Sequence, residues 1–458
     1  MADTASQVDV EVVGPSYPED YSLNTLNFIT SVGNKINILP LLSGLSVYED
    51  LYSFSLSGHI TLIDAQGFME SLKLTGNEFL EVEFGKVKDG ANSVKSLFRV
   101  YRAGDRNPSG TLNSETYTLY FCSEELMLSE QTKISKSYKG KKIADIIADI
   151  LTDKMKVPNK KIENVEDTMG VYDFLVPRMK PFEAISWLSC YARPKSSVGA
   201  DMLFFETKDG YNFRSIQSMF KDPVYGTYKY QAKNLDDKIQ SFEEKVTTVI
   251  SYEFGKPYDA LNEINSGTLA NRLISIDPIA RKFNVTDFDY TKYKGQVASL
   301  NGNAPVNDYK NRLGVSESQA YEGKLKVIIG NSAQQDVPYI KNIDGAVAKS
   351  IFVETFVPNR TAQISLSNYT SLKIAIPGDP GISVGKTIKF NLLSLKSAND
   401  NKDLDQMYSG KYLVTAVRHI IETPNSYRTI LELVKDSTPS PTSAINNNDS
   451  SWKEAVSE

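Results

Sequence analysis

The sequence is poor in the side chains that most catalysts and metal centres require. Its 458 residues hold only 2 histidines, 2 cysteines and 2 tryptophans. Imidazole supplies most general bases and most metal ligands. His59 and His419 each sit in an alternating apolar run, Phe54-Ser-Leu-Ser-Gly-His-Ile-Thr-Leu-Ile and Leu413-Val-Thr-Ala-Val-Arg-His-Ile-Ile. Neither has a Ser, Cys or second His beside it, which argues against hydrolytic triads and zinc sites, and H-E-x-x-H and C-x-x-C are both absent. Cys122 and Cys190 lie far apart and read as two small buried thiols in a reducing compartment, with a single disulfide left open. No apolar run approaches the ~18 residues that span a bilayer. Met1 to Val13 is polar and acidic without an apolar core, so neither a secretory signal nor membrane insertion is expected.

What is present describes an ordinary globular chain. The 51 Lys and Arg stand against 56 Asp and Glu, a net charge of −5, and the sequence pI of about 5.5 argues against a dedicated nucleic-acid binder. Hydrophobic residues make up 41% and charged residues 23%, and the length suits two to four domains at roughly 100–200 residues each. The 25 tyrosines and 20 phenylalanines favour strands, where aromatic rings fit a pleated, half-buried surface.

Two motifs come close to known chemistry and miss. Gly381-Ile-Ser-Val-Gly385-Lys386-Thr387 has one residue too few between its glycines for a phosphate-binding loop, which must also open a helix. Ile388 and Phe390 instead continue it with a period of two, so it reads as a turn entering a strand. Asn399-Asp-Asn-Lys-Asp403-Leu-Asp405-Gln406 has part of a calcium-loop spacing but lacks the glycine of the sharp turn and the closing Glu. Asp287 and Asp289 are too ordinary a pair to imply a glycosidase. The chain therefore reads as a non-enzyme, with no catalytic, cofactor-binding or metal-binding residue assigned.

The two ends resemble each other. Three strand-like runs, Glu78–Phe84, Leu97–Arg102 and Glu115–Cys122, follow a glycine turn at Gly76. Three more, Lys386–Leu392, Lys411–Arg418 and Tyr427–Val434, follow one at Gly381. Such alternation places one face on a core and the other toward solvent or a partner. Between the ends, Ile143, Ile146, Ile147, Ile150 and Leu151 form one stripe of a helix that Pro158 closes. A second helix starts at Pro181 and runs through Phe182, Ile185, Leu188 and Tyr191. Met202–Thr207, Asp209-Gly210 and Tyr211–Arg214 read as a tight hairpin. Residues 250–345 are expected to hold long connections and extended segments, with a helix near 308–325. The tail from Asp436 is Ser-, Thr-, Pro- and Asn-rich, too polar to fold alone, and its Trp452 is a candidate partner-binding anchor.

Taken together, these runs resemble baseplate hub proteins of contractile-tailed bacteriophages, whose hub unit also forms the N-terminal part of type VI secretion spike proteins. Tyr408-Ser-Gly-Lys-Tyr-Leu-Val-Thr-Ala-Val-Arg-His, a turn and Ser426-Tyr-Arg-Thr-Ile-Leu-Glu-Leu are similar to that family's last barrel hairpin. Leu74-Thr-Gly-Asn-Glu-Phe-Leu-Glu-Val is similar to its first-barrel strand, and the helix, Pro181 start and hairpin to its inserted domain. The resemblance implies an α+β, mostly β fold: two tail-tube-like β-barrels, an inserted small α/β domain and extended connections. The expected boundaries are an arm over 1–21, a first barrel over 22–128, the insertion over 129–245, a connecting region over 246–345, a second barrel over 346–435 that borrows earlier strands, and a tail over 436–458.

It further implies a homotrimer that matches a sixfold tail tube to a threefold central spike. Partners would be the spike, the tube or its initiator and other baseplate proteins, in a virion assembled in the host cytoplasm. DNA would pass through the channel without specific binding, and an acidic lining would suit that passage. A tail-associated carbohydrate-binding or peptidoglycan- or polysaccharide-degrading protein is the alternative, and the hub of a non-contractile tail or an injection particle a third reading.

Overall fold

The computed structural model describes residues 20–65, 67–68, 72, 74–86, 93–108, 114–230, 242–256, 259–278, 281–303, 310, 312–329, 353–394, 404–423 and 426–440. The chain begins with β1 (Tyr21–Ile29), β2 (Lys35–Asn37), β3 (Leu42–Asp50), β4 (Ser57–Asp64), β5 (Phe79–Lys86), β6 (Val94–Pro108) and β7 (Glu115–Ser123). These lie side by side in the order β3-β4-β7-β6-β5-β1-β2. Their period-two pattern sets the two faces: Gly58, Ile60 and Leu62 of β4 are buried while Ser57, His59 and Thr61 are less so. The inward set, including Leu45, Val47, Ile60, Leu80, Val82, Phe84, Phe98, Leu119 and Phe121, forms one core.

An α/β module follows. It contains the helix Glu124–Gln131, β8 (Ile134–Lys141), the helix Ile143–Asp149, β9 (Ile162–Val165), β10 (Tyr172–Met179), the helix Pro181–Ser189, β11 (Met202–Thr207), β12 (Gly210–Ser215) and the helix Ile216–Lys221. The stripe Ile143, Ile146, Ile147, Ile150 and Leu151 is wholly buried, and the last helical turn widens into a π-turn at Ile150–Lys154. Pro181 occupies the first turn of its helix, where a missing amide costs nothing. In the β11–β12 hairpin Gly210 has φ +144°, and a Cβ there would lie 2.5 Å from the Lys161 carbonyl oxygen, so only glycine fits. One expectation fails: Cys122 is buried, but Cys190 is exposed. Cys190 is the C-cap of the Pro181–Ser189 helix and falls off the apolar stripe carried by Ile185 and Leu188.

The chain then supplies β13 (Val224–Tyr230) and β14 (Ser251–Lys256), a separate three-stranded sheet of β15 (Ala270–Asp277), β16 (Lys282–Asp289) and β17 (Leu325–Ile329), and finally β18 (Thr370–Pro377), β19 (Thr387–Leu392), β20 (Gly410–Glu422) and β21 (Ser426–Lys435). The segment expected to hold long connections thus contains a sheet, ordered β16-β15-β17. Leu273 of β15 packs on Val353, Phe356 and Val357. In place of the expected helix near 308–325, the described residues form two short 3₁₀ turns, Glu317–Gln319 and Tyr321–Gly323. That stretch carries Gly314 and Gly323 and has no apolar stripe to bury. The start of the tail also departs from expectation. Asp436 accepts from the Leu300 amide at 3.0 Å, and the Ser437 hydroxyl accepts from the Asn301 amide at 2.8 Å, so this stretch is packed rather than loose.

The second barrel repeats the strand order of the first. β13-β19-β20-β21-β18-β14 follows the same sequence of neighbours as β1-β5-β6-β7-β4-β3. Both meanders carry a bulge at the matching place, between Val100 and Arg102 against β7 and between Val414 and Ala416 against β21. The β3–β4 connection is short, whereas the corresponding β14–β18 connection carries the three-stranded sheet. Directions agree except at one end: β1 runs antiparallel to β5, and β13 runs parallel to β19. The Lys229 amide donates to Thr247 O at 3.0 Å and its carbonyl accepts from Val249 at 2.9 Å, which ties β13 to the lead-in of β14 and closes the second barrel. The two barrels fuse through β20, whose second half, Ala416–Glu422, pairs antiparallel with Gly44–Asp50 of β3. The fold is mostly β, with two barrels and an inserted α/β module.

Candidate functional site

The fused sheet presents a continuous outward face running β6-β7-β4-β3-β20-β21-β18. Alternation puts a line of rings and cations on it. The Arg102 guanidinium lies 4.8 Å from the Tyr120 ring centroid, Tyr120 is 6.1 Å from His59, His59 is 5.8 Å from Tyr48, and Arg418 lies 5.3 Å from Tyr48. Five side chains from five neighbouring strands therefore form a ladder that crosses the junction between barrels. Tyr48 Oη and His59 Nδ1 are 3.2 Å apart, and burial together with nearby Arg418 lowers the His59 pKa. The imidazole is one ring of the stack and is hydrogen-bonded to Tyr48.

Charges of both signs share this face: Arg99, Arg102, Lys373, Arg418 and Arg428 stand with Asp50, Asp105, Glu422 and Glu432. Lys373 and Glu432 meet at 3.0 Å across β18 and β21, and Arg428 and Glu422 at 2.8 Å across the β20–β21 turn. The chain's excess of acid is thus not concentrated here.

In the ladder of the described residues, β5 covers β6 only from Val94 to Arg99. β14 ends the sheet path and pairs with β18 alone. A shallow cavity of about 310 Å³ adjoins it, lined by Asp50, Gly255, Lys373, Ala416 and Glu432 among others. A third surface is apolar: Ile274, Val285 and Val327 share one row of the β16-β15-β17 sheet, and Ile276, Phe283 and Ile329 the next. Phe283 is 70% and Ile329 74% exposed, unusual for large apolar side chains grouped on one face.

Buried carboxyls pin the inserted module to the barrels. Glu49 accepts from the Lys208 amide at 3.0 Å and the Val384 amide at 3.1 Å, and Glu206 from the Leu56 amide at 2.8 Å and the Ser123 hydroxyl at 2.6 Å. Burial pushes both up to about 7. Each is spent on protein amides or hydroxyls. His419, wholly buried against Phe84 and Tyr427, is pushed down to about 4 by burial, and its Nδ1 lies 2.9 Å from the Tyr427 hydroxyl.

The remaining sequence candidates fall in structural positions. In the Gly381–Thr387 loop the Val384 amide serves Glu49, Lys386 donates to Gly381 O at 2.7 Å, and Thr387 opens β19. Asp287 pairs with Arg272 at 2.6 Å and Asp289 accepts from the Thr291 amide, so the two do different local work. Asp405 accepts from the Met407 and Tyr408 amides as a turn residue, while Asn399–Asp403 lie outside the described residues. Trp452 also lies outside them. Among the described residues no group of three or more His, Cys, Asp and Glu is placed to hold a metal ion, and no helix is long and apolar enough to cross a membrane. Sequence reasoning missed the ladder; the outward positions of alternating strands, Tyr48, His59 and Tyr120, were the available signal.

Comparison with known proteins agrees with this arrangement. No family model matches the chain. The chain is 27% identical over 418 residues to the probable baseplate hub protein gp334 of Vibrio phage KVP40, covering 90% of this chain and 92% of that one. Among solved structures, the 43 kDa tail protein of prophage MuSo2 from Shewanella oneidensis aligns with 90% of this chain and 99% of its own, at 9% identity and a TM-score of 0.51. A tail protein from Neisseria meningitidis MC58 aligns with 91% of this chain and 97% of its own, at 11% identity and a TM-score of 0.49. The likeness to the MuSo2 protein is one of fold.

Proposed function

We propose that this chain, which resembles phage baseplate hub proteins along nearly its whole length, is a structural hub subunit of a phage tail baseplate. Three copies close a ring in which six barrels face a sixfold tail tube, while the threefold repeat of whole chains faces a central spike. The observation that carries this reading is the shared strand order of two barrels in one polypeptide. A chain with two similar units can offer six in a trimer, and head-to-tail contacts that close under rotation make such rings.

The outward sheet face is the channel-facing surface in this reading. Cations and carboxylates share it in near-equal number, so passing DNA meets a near-neutral wall instead of the acidic one that composition suggested. The exposed apolar face of β15, β16 and β17 is a contact for another baseplate component, the spike or the tube initiator, because a patch of this kind is costly in water. Trp452 anchors the tail on one of these partners. Domain limits near 22–128, 129–245, 246–345 and 346–435 follow from the same reading, with β13 and β14 lent to the second barrel. The ring is part of the virion, assembled in the host cytoplasm, and performs no catalysis.

Light scattering on the purified chain tests this. A species near three times 51.0 kDa is expected. A monomer at every concentration that cleaves polysaccharide or peptidoglycan would instead establish the alternative of a tail-associated hydrolase.

A further inference from the structure

Asn301 and Gly302 form the one Asn-Gly pair in the sequence. In an open chain such a pair is chemically unstable. The glycine nitrogen attacks the side-chain carbonyl carbon of the asparagine, a five-membered imide closes, and the side-chain nitrogen leaves as ammonia. Glycine permits the attack because it carries no side chain to hinder its own nitrogen and has the least restricted backbone. Water then opens the imide at either carbonyl, giving aspartate or isoaspartate. In this fold the pair sits at a joint, where the segment after β16 meets the start of β20 and the residues just past β21.

The Asn301 side chain is fully engaged there. Its Oδ1 accepts from the Lys411 amide at 2.8 Å, and its Nδ2 donates to Lys411 O and to Ser437 O, both at 3.0 Å. Both donors and the acceptor are in use, which fixes the amide plane and its orientation. A side chain thus extends the β20–β21 ladder beyond its first pair, Leu413 with Val434. Gly410, at φ +129°, makes room for it: a Cβ there would lie 2.6 Å from Asn301 Oδ1. The flanking backbone is tied as well. The Asn301 amide donates to Ser437 Oγ at 2.8 Å, the Gly302 amide to Ser299 Oγ at 3.1 Å, and the Thr438 amide to Asn303 O at 2.9 Å. The attacking nitrogen is therefore held on Ser299, while its target carbon is held on β20 and Ser437.

We propose that Asn301 is a self-modification site guarded by the fold: it reacts only when Asp436–Ser440 lifts from the second barrel, and its conversion makes that release permanent. The bond from Gly302 N to Asn301 Cγ forms as the Cγ–Nδ2 bond breaks, the Gly302 proton leaves with the ammonia, and one water is consumed in opening the ring. The product has no side-chain donor. A carboxylate at position 301 faces the carbonyl oxygens of Lys411 and Ser437, acceptor against acceptor, and both lose the partner they had. Asp436, which accepts from the Leu300 amide at 3.0 Å, adds a second carboxyl beside it. Isoaspartate also lengthens the backbone by one methylene, which shifts Asn303 away from Thr438. Ser437 is 0% and Thr438 5% exposed in the closed joint, so conversion unseals groups that are otherwise shut from water.

The unaltered full chain is aged at neutral pH, folded and in urea, and conversion at Asn301 is followed by peptide mass spectrometry with isoaspartate resolved by chromatography. Conversion in urea is expected to outpace that in the folded chain by at least about tenfold, the factor being set by how rarely the joint opens. Ser437→Ala removes the acceptor of the Asn301 amide and is expected to raise both the folded-state conversion rate and amide exchange at residues 301 and 438. Equal conversion in the folded and unfolded chain would overturn the guard, as would faster exchange in Ser437→Ala without faster conversion. Asn301→Asp isolates the consequence from the ageing. Exchange of the Thr438 amide is expected to quicken by at least about tenfold while that of β4 and β7 stays unchanged. Chains aged while folded, then separated by their added charge, supply the same comparison without requiring a variant to fold. Unaltered exchange at Thr438 in converted chains would overturn the release.

Discussion

Glu49 is the residue whose removal should reveal most about how the barrels and the inserted module hold together. It is 2% exposed, sits on β3 beside the barrel seam, and satisfies the amides of Lys208 in the module and Val384 in the loop before β19. Glu49→Ala leaves both amides buried without an acceptor, at about 1–3 kcal/mol each, so a loss of about 2–6 kcal/mol is expected. Glu49→Gln keeps one acceptor oxygen and should lose about half as much. The acid form also has a pH signature. Burial raises the folded-state pKa from 4.5 to about 7, so the folded chain holds a proton that the unfolded chain gives up. The site's contribution is therefore full below about 4.5 and falls away as pH rises through about 7, by about 3 kcal/mol in all. Denaturant unfolding of the unaltered chain and of Glu49→Gln at pH 5 and pH 8, at one protein concentration, isolates this term. The stability gap between them should narrow or reverse at pH 8, and parallel pH profiles would refute the assignment.

Other sites make independent predictions. Gly58→Ala places a methyl 2.4 Å from both the Phe121 ring and the Ser46 carbonyl oxygen and should cost at least about 3 kcal/mol in thermal unfolding, whereas Gly33→Ala, at φ +89° in open space, should cost about 1–2. A maleimide or disulfide reagent should modify one thiol per native chain, exposed Cys190, and two after unfolding, because burial pushes the Cys122 thiol up to about 11; rapid native modification of both would refute the packing of β7. His419 runs opposite to Glu49: its folded pKa of about 4 means stability present above pH 6.5 is lost as pH falls toward 4, and His419→Gln should flatten that acid limb in pH-resolved unfolding.

The local elements were legible because their signals are local. The Pro181 start, the Ile143–Leu151 stripe and the Asp209-Gly210 hairpin each carry their structure within about ten residues. The two end meanders were equally plain. What the sequence hid was pairing at long range. Nothing in Val224–Tyr230 announces that it runs parallel beside Thr387–Leu392, and nothing in Leu42–Asp50 marks β20 as its neighbour. The sheet of β15, β16 and β17 escaped notice for another reason: it carries Ile276, Phe283 and Ile329 outward, so its alternation does not sort apolar from polar. The ladder of Arg102, Tyr120, His59, Tyr48 and Arg418 draws one residue from each of five strands, and no linear spacing can encode that.

The β20–β3 junction has a consequence for how an assembly of these chains would grow. In the proposed ring every polypeptide would arrive with one of its two barrel-to-barrel joints already made, at the high effective concentration of a tethered neighbour. Half of that circle would thus be inherited from translation, and only the other half would have to be found by diffusion. A substitution at the inherited joint would act as a folding defect, visible in dilute protein, while one at a contact between chains would act as an assembly defect that appears only when chains meet.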